Sequence, residues 1–256
     1  MRASGFNRPN LHGRNNAFTL IELLVVLAVI AVLSFLVIPA INGLKKSGDM
    51  NTASGQISGV ITTARTYAVA NNTYTWVGFF EEDGSRTSTQ PATAGTGRIV
   101  IDSVASADGT LPYTPTNPSV ISGSRLIQTS RLLKIDGMHL VTFPANVGGT
   151  TITTPGAVTI SNANIGSIGD TTPQTVSLTP FSYPLTGTAQ YTFTKAIQFS
   201  PRGEARINNS TSLYPLQPAV EVGLQPAHGA IVDPTSVNLV SIQITGVGGD
   251  VTVYRR

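Results

Sequence analysis

The stretch from Ala17 to Ile41, AFTLIELLVVLAVIAVLSFLVIPAI, constrains this chain more than any other. Every residue from Leu23 to Leu33 is apolar, and after Ser34 the run resumes from Phe35 to Ile38 before Pro39. A helix of that length and character is long enough to cross a bilayer. Within it stands one carboxylate, Glu22. An ionisable group in hydrocarbon is costly and marks a functional position with a partner, so Glu22 is the first candidate functional residue. A secretory signal peptide has a shorter apolar core closed by a small-x-small site, and no such site closes this run. A plain membrane anchor accounts for the hydrophobicity but not for Glu22.

Charge assigns an orientation to this segment. The chain holds 16 basic and 13 acidic residues, a formal net charge of +3. Three of the basic residues, Arg2, Arg8 and Arg14, lie in the first 17 positions, which contain no acid, so the remainder is balanced. Basic flanks stay cytoplasmic, which places everything after the apolar run outside the cytoplasm. A balanced chain lacks the clustered Lys and Arg that phosphate binding needs, and nucleic acid is not expected as a partner. There is no cysteine, hence no disulfide framework and no thiolate metal site.

The string Ala17, Phe18, Thr19, Leu20, Ile21, Glu22, followed by the apolar run and preceded by a short basic leader, resembles the type IV prepilins and the pseudopilins of type II secretion. In that family a prepilin peptidase and methyltransferase cuts before the phenylalanine and methylates the new N-terminus, and a glutamate five residues into the mature chain guides assembly. The resemblance implies a cut between Ala17 and Phe18, methylation of Phe18, and Glu22 as the assembly residue. The residue before the cut is usually glycine in the family and is Ala17 here. Pro39 sits where many pilins carry a helix-breaking proline. The partners implied are other pilin or pseudopilin subunits and an inner-membrane assembly platform.

Beyond Ile41, Met50, Ala53, Ile57, Val60, Ile61, Ala64, Tyr67 and Ala68 recur at spacings of three and four, the signature of one helix face. The expected helix therefore runs from Phe18 to about Ala70, with an apolar stripe laid on a globular domain. Gly43, Gly48, Gly55 and Gly59 weaken it and, with Pro39, mark places for a kink or for close packing. From Tyr74 the pattern turns to strands: Tyr74–Phe80, Arg98–Ile101, Arg131–Ile135, His139–Phe143, Tyr191–Phe199, Ala219–Leu224, Val237–Ile244 and Val251–Tyr254 are β-branched or aromatic, and they are expected to form an antiparallel sheet. Ser103–Gly123 and Gly137–Thr194 are rich in Thr, Ser, Gly and Pro. The first reads as a long connection and most of the second as short strands. The resulting expectation is an α+β, pilin-like fold. Its divisions are a leader (1–17), a transmembrane and filament-core helix (18–42), an amphipathic helix half (43–72) and a periplasmic β-rich domain (73–256).

Nothing in the chain reads as catalytic machinery. His12, His139 and His228 each lack a second histidine or carboxylate at ligand spacing, so no metal site is expected. There is no G-x-S-x-G elbow and no P-loop, and no cofactor is expected. Asp83, Asp102, Asp108 and Asp233 lie in or beside loops without the dense oxygen-ligand run of a calcium site. The segments TTARTYAVANNTYTWVGF, AIQFSPRGEARI and VSIQITGVGGDVTVYRR resemble the H-type minor pseudopilins, the GspH/FimT family. That resemblance implies a non-enzymatic minor pseudopilin of a type II secretion system in the inner membrane. A type IV pilus minor pilin and a membrane-tethered binding module are the alternatives.

Overall fold

The computed structural model describes residues 19–114, 119–143, 165–170, 179–207, 216–234 and 236–255, with the side chains of 36–47 and 165 outside that set. The chain divides into two compact units, Met1–Lys45 and Lys46–Arg256. Helix α1 (Leu20–Ala70) begins in the first and ends in the second. Its assignment is unbroken through Pro39 and the four glycines. The kink expected at Pro39 falls on side chains outside the described set.

In the second unit the apolar stripe does what its spacing predicts. Met50, Ala53, Ile57, Ile61, Ala64 and Ala68 are all buried and belong to one core. The helix stops in a left-handed cap: Asn72 has φ 48°, Thr73 N–H donates to Ala68 C=O at 3.0 Å and Asn72 N–H to Val69 C=O at 3.4 Å. These are the two bonds of a Schellman motif, with asparagine in the place glycine usually takes. The Thr75 hydroxyl then donates to Ala64 C=O at 3.0 Å, stitching the first strand to the helix that precedes it.

The strands, in chain order, are β1 (Thr75–Asp83), β2 (Gly97–Ser106), β3 (Leu126–Gln128), β4 (Leu133–Asp136), β5 (Met138–Leu140), β6 (Ile165–Ile168), β7 (Phe181–Tyr183), β8 (Tyr191–Phe193), β9 (Lys195–Phe199), β10 (Ala205–Ile207), β11 (Ala219–His228), β12 (Ile231–Val232), β13 (Val240–Thr245) and β14 (Val251–Arg255). They form two six-stranded sheets and a two-stranded one rather than the single antiparallel sheet expected. The first sheet has the order β10-β9-β1-β2-β3, with β4 also on β2. The second has the order β12-β11-β13-β14, with β5 and β6 also on β11. One pairing, β6 with β11, is parallel. The expected strand Tyr191–Phe199 is two strands, because β8 pairs with β7 while β9 pairs with β1 and β10. The first strand runs longer than the expected Tyr74–Phe80, since pairing with β2 carries β1 through Asp83.

Both faces of the first sheet are covered, which period-two alternation along β1 makes visible. Val77 and Phe79 join the helix and second-sheet core, whereas Trp76 joins Val100, Val104, Phe181, Tyr191 and Phe193 in a second core. That second core is roofed by the β7–β8 hairpin, and Glu82 fastens it: Tyr191 Oη donates to its Oε1 at 2.6 Å, and Ser88 Oγ and Arg98 Nη1 donate to its Oε2 at 2.9 and 3.1 Å. Burial pushes the Glu82 carboxyl up, but these donors outweigh it and leave it below the ordinary carboxylate range.

Glycine at 78 is required by that roof. A Cβ there would lie 2.6 Å from Phe181 Cζ and from Phe193 Cβ and Cγ. Gly78→Ala is therefore expected to destabilise the domain by about 1–3 kcal/mol through overpacking. In the helix, by contrast, a Cβ on Gly48, Gly55 or Gly59 meets nothing within 4 Å, so close packing within the chain does not account for these glycines. Gly55→Ala is expected to stabilise by up to about 1 kcal/mol. Urea midpoints of the two variants should move in opposite directions, and a Gly78→Ala midpoint equal to that of the parent would contradict the packing described.

Candidate assembly site

The first turn of α1 is built around Glu22. Thr19 precedes the helix, and its N–H and its Oγ both donate to Glu22 Oε2 at 2.8 Å. Glu22 N–H in turn donates to Thr19 Oγ at 3.3 Å. This is a capping box, Thr at the N-cap and Glu at the third helical position, each satisfying a backbone donor the helix leaves unpaired. Its signature in the sequence is Thr-x-x-Glu before an apolar run, and it gives Glu22 a capping part beside the assembly role that the resemblance implies. Only Oε2 is used in the cap. Within its own unit the helix presents an apolar surface: Leu20 and Phe35 are 82% and 79% exposed, and Leu23 to Leu33 contribute a continuous series of exposed Leu, Val and Ile side chains. Ala17 and Phe18 lie outside the described residues, as does the side chain of Pro39.

The other candidate residues separate into structural roles. His139 is not isolated as its sequence neighbours imply: its Nδ1 is 2.8 Å from Glu81 Oε1 and its Nε2 is 3.9 Å from Asp170 Oδ2. Glu81 also accepts from Gly97 N–H at 2.9 Å, and Lys195 Nζ donates to the Gly169 carbonyl. The carboxylates come from β1 and from the residue two beyond β6, so no sequence spacing could reveal the cluster. His228 is exposed at the end of β11, and His12 lies outside the described residues. Among the described residues no group of three or more His, Cys, Asp or Glu could hold a metal ion.

Asp102 corrects a second expectation. It is fully buried in the middle of β2, not in or beside a loop. Gln128 Nε2 donates to its Oδ1 at 3.0 Å, and its Oδ2 has no partner. Burial raises its pKa from 3.8 to about 7, against the hydrogen bonds from Ser103 N–H and Gln128 that lower it. Asp108, in contrast, is held well below the carboxylate range by Thr110 N–H and Oγ, Ser106 and Arg125 around a surface turn.

Two glycine-containing turns, FSPRG (199–203) and GVGGD (246–250), which lie within the segments that carry the H-type resemblance, meet each other. Gly203 has φ +84° and Gly249 φ +67°, and a Cβ on Gly249 would lie 2.2 Å from the Gly203 carbonyl oxygen. Arg65 of α1 reaches both turns and pairs with Asp250 at 3.5 Å. Ala205 N–H donates to Gly246 C=O at 2.8 Å, joining the two sheets at this point. These motifs lock the helix and the sheets together.

Residues 13–38 match the prokaryotic N-terminal methylation motif. The match spans the expected cut, Glu22 and the apolar run, and it supports a type IV pilin-like or pseudopilin subunit. The motif implies processing by a prepilin peptidase, assembly with other pilin-type subunits and anchoring of the N-terminus in the inner membrane. Among the described residues no helix is long and apolar enough to cross a membrane, the described side chains of the apolar run ending at Phe35. No curated protein and no solved structure matches the chain.

Proposed function

We propose that this chain is a minor pseudopilin of the H type, a non-enzymatic subunit that enters a type II secretion pseudopilus through its N-terminal helix and supports protein export. The observation that carries the reading is the methylation motif at residues 13–38 together with Glu22 in the first turn of an exposed apolar helix. In this reading the apolar half of α1 spans the inner membrane once, with the β-rich domain in the periplasm, until assembly moves the helix into the filament core. The partners are the prepilin peptidase and methyltransferase, sister subunits and the inner-membrane assembly platform.

Glu22 then serves two purposes. Its Oε2 caps its own helix, and its Oε1 faces the methylated amine of Phe18 in a neighbouring subunit. A charge pair in an apolar filament core interacts far more strongly than in water, and removal of one partner strands the other. The uncrowded glycines of α1 fit a helix whose lower half bends or is covered only when sister subunits pack around it.

The reading requires processing. Intact-mass and N-terminal analysis of membrane-extracted protein is expected to give a chain that starts at N-methylated Phe18. Ala17→Gly should be cut at least as well, and a bulky residue at 17 should block the cut. A chain that retains Met1–Ala17 would overturn the proposal. Loss of the exported cargo from the culture medium on deletion of this chain separates a secretion pseudopilin from a pilus minor pilin, whose loss abolishes surface pili instead.

A further inference from the structure

Strands β3 and β4 pair end to end along the same edge of β2, β3 with Val104–Ser106 and β4 with Arg98–Ile101. The link between them, 129–132, crosses the gap at Asp102 and Ser103, tied down by Thr129 N–H to Ser103 C=O at 2.8 Å and by the Thr129 and Ser103 hydroxyls at 2.7 Å. Between this link and the β7–β8 hairpin lies a cleft of about 740 Å³, lined by Gln128, Thr129, Ser130, Arg131, Leu132 and Tyr183. That volume is in the range of small-molecule sites.

The lining groups have unused capacity. Arg131 is exposed and has no ion pair among the described residues. Gln128, which lines the cleft, is immobilised, because its Nε2 is committed to buried Asp102. Tyr183 supplies a half-exposed aromatic wall, buttressed by Tyr191 at 6.4 Å between ring centroids.

This set selects a ligand class. Only Leu132 is aliphatic, so the cleft does not suit an apolar peptide. One unpaired arginine is far from the basic cluster that a phosphate backbone needs. An aromatic face, a tethered amide and a free planar guanidinium instead match a hydroxylated ring bearing a carboxylate: the ring lies on Tyr183, a hydroxyl meets the Gln128 amide, and its carboxylate takes the guanidinium fork. We propose that the cleft binds a carboxylated sugar, a uronic-acid unit of an acidic polysaccharide. The proposal stands on the cleft itself and does not depend on the filament role.

The test is titration of the full chain in detergent micelles with trigalacturonate, followed by calorimetry and saturation-transfer NMR, with neutral galactotriose and hexaglutamate in parallel. Trigalacturonate is expected to bind, with saturation transfer strongest to ring protons that face Tyr183. Arg131→Ala and Tyr183→Ala should each weaken binding about tenfold or more, and Arg131→Glu should abolish it, at unchanged melting midpoint for the arginine variants because Arg131 is exposed. Arg202→Ala, an exposed arginine elsewhere, should bind like the parent. No binding at millimolar sugar, equal binding of galactotriose or hexaglutamate, or an affinity indifferent to Arg131 would each overturn the proposal.

Discussion

Glu22→Val is expected to be cut at Ala17, methylated and inserted, and then to be missing from every assembly. Peptidases that read the leader and the residues beside the cut have no use for the carboxylate, and removing a charge from an apolar run favours insertion. Assembly is different on the proposed mechanism, in which the Phe18 amine of the neighbouring subunit would enter the apolar core with no counter-ion. Incorporation should fall by about a hundredfold or more. Co-purification of the processed variant with its sister subunits measures this directly, and undiminished incorporation would rule out the mechanism. The capping box supplies an internal control. Thr19→Ala removes the cap donor and acceptor but leaves the carboxylate, so it should loosen the first turn while retaining most of the assembly. If Thr19→Ala fails as completely as Glu22→Val, the role of Glu22 is to cap its own helix and not to meet another chain.

Asp102→Asn should make the 46–256 unit markedly more stable at pH 8 and much less dependent on pH. The sign follows from where the proton sits. Asp102 holds its proton in the folded state up to about pH 7, whereas the unfolded chain releases it near 3.8. As pH rises between those values the unfolded state gains the charge freely and the folded state does not, so stability falls, by roughly 4 kcal/mol once pH is above 7. Asparagine carries no such penalty and still offers an oxygen to Gln128. The variant should therefore melt roughly 10 °C above the parent at pH 8 and within a few degrees of it at pH 5. Glu221, also pushed up by burial in the second sheet against bonds from Gln243 and Ser241, leaves a shallower slope of the same sign. Carboxylates held low, such as Glu82 and Asp170, act with the opposite sign, contributing stability that is lost as pH falls. A parent whose stability rises between pH 5 and 8 would show that Asp102 is ionised in the fold.

What the sequence alone determined here is local. Leader charge, the apolar run, Glu22 and the stripe from Met50 to Ala68 are all readable because a helix places residues three and four apart on one face, and the helix ends within a residue or two of where the pattern stops. The strands were readable where β-branched residues run together, as in Thr75–Phe80 and Val240–Ile244, but their partners were not. Pairing of β8 with β7, parallel addition of β6 to β11, and division into two sheets depend on segments far apart in the chain, and alternation specifies which face of a strand is apolar without specifying what covers it. Tertiary structure alone decided the fates of the polar residues. Asp102 resembles a surface residue in its sequence context, yet it is buried in the middle of β2, opposite Gly78 of β1 and tied to Gln128 of β3. His139 meets Glu81 from 58 positions away, and Arg65 meets two turns that nothing in its own neighbourhood announces. Periodicity encodes the face a residue occupies, whereas the charge, solvent and partners it meets there are set by the elements that fold over it.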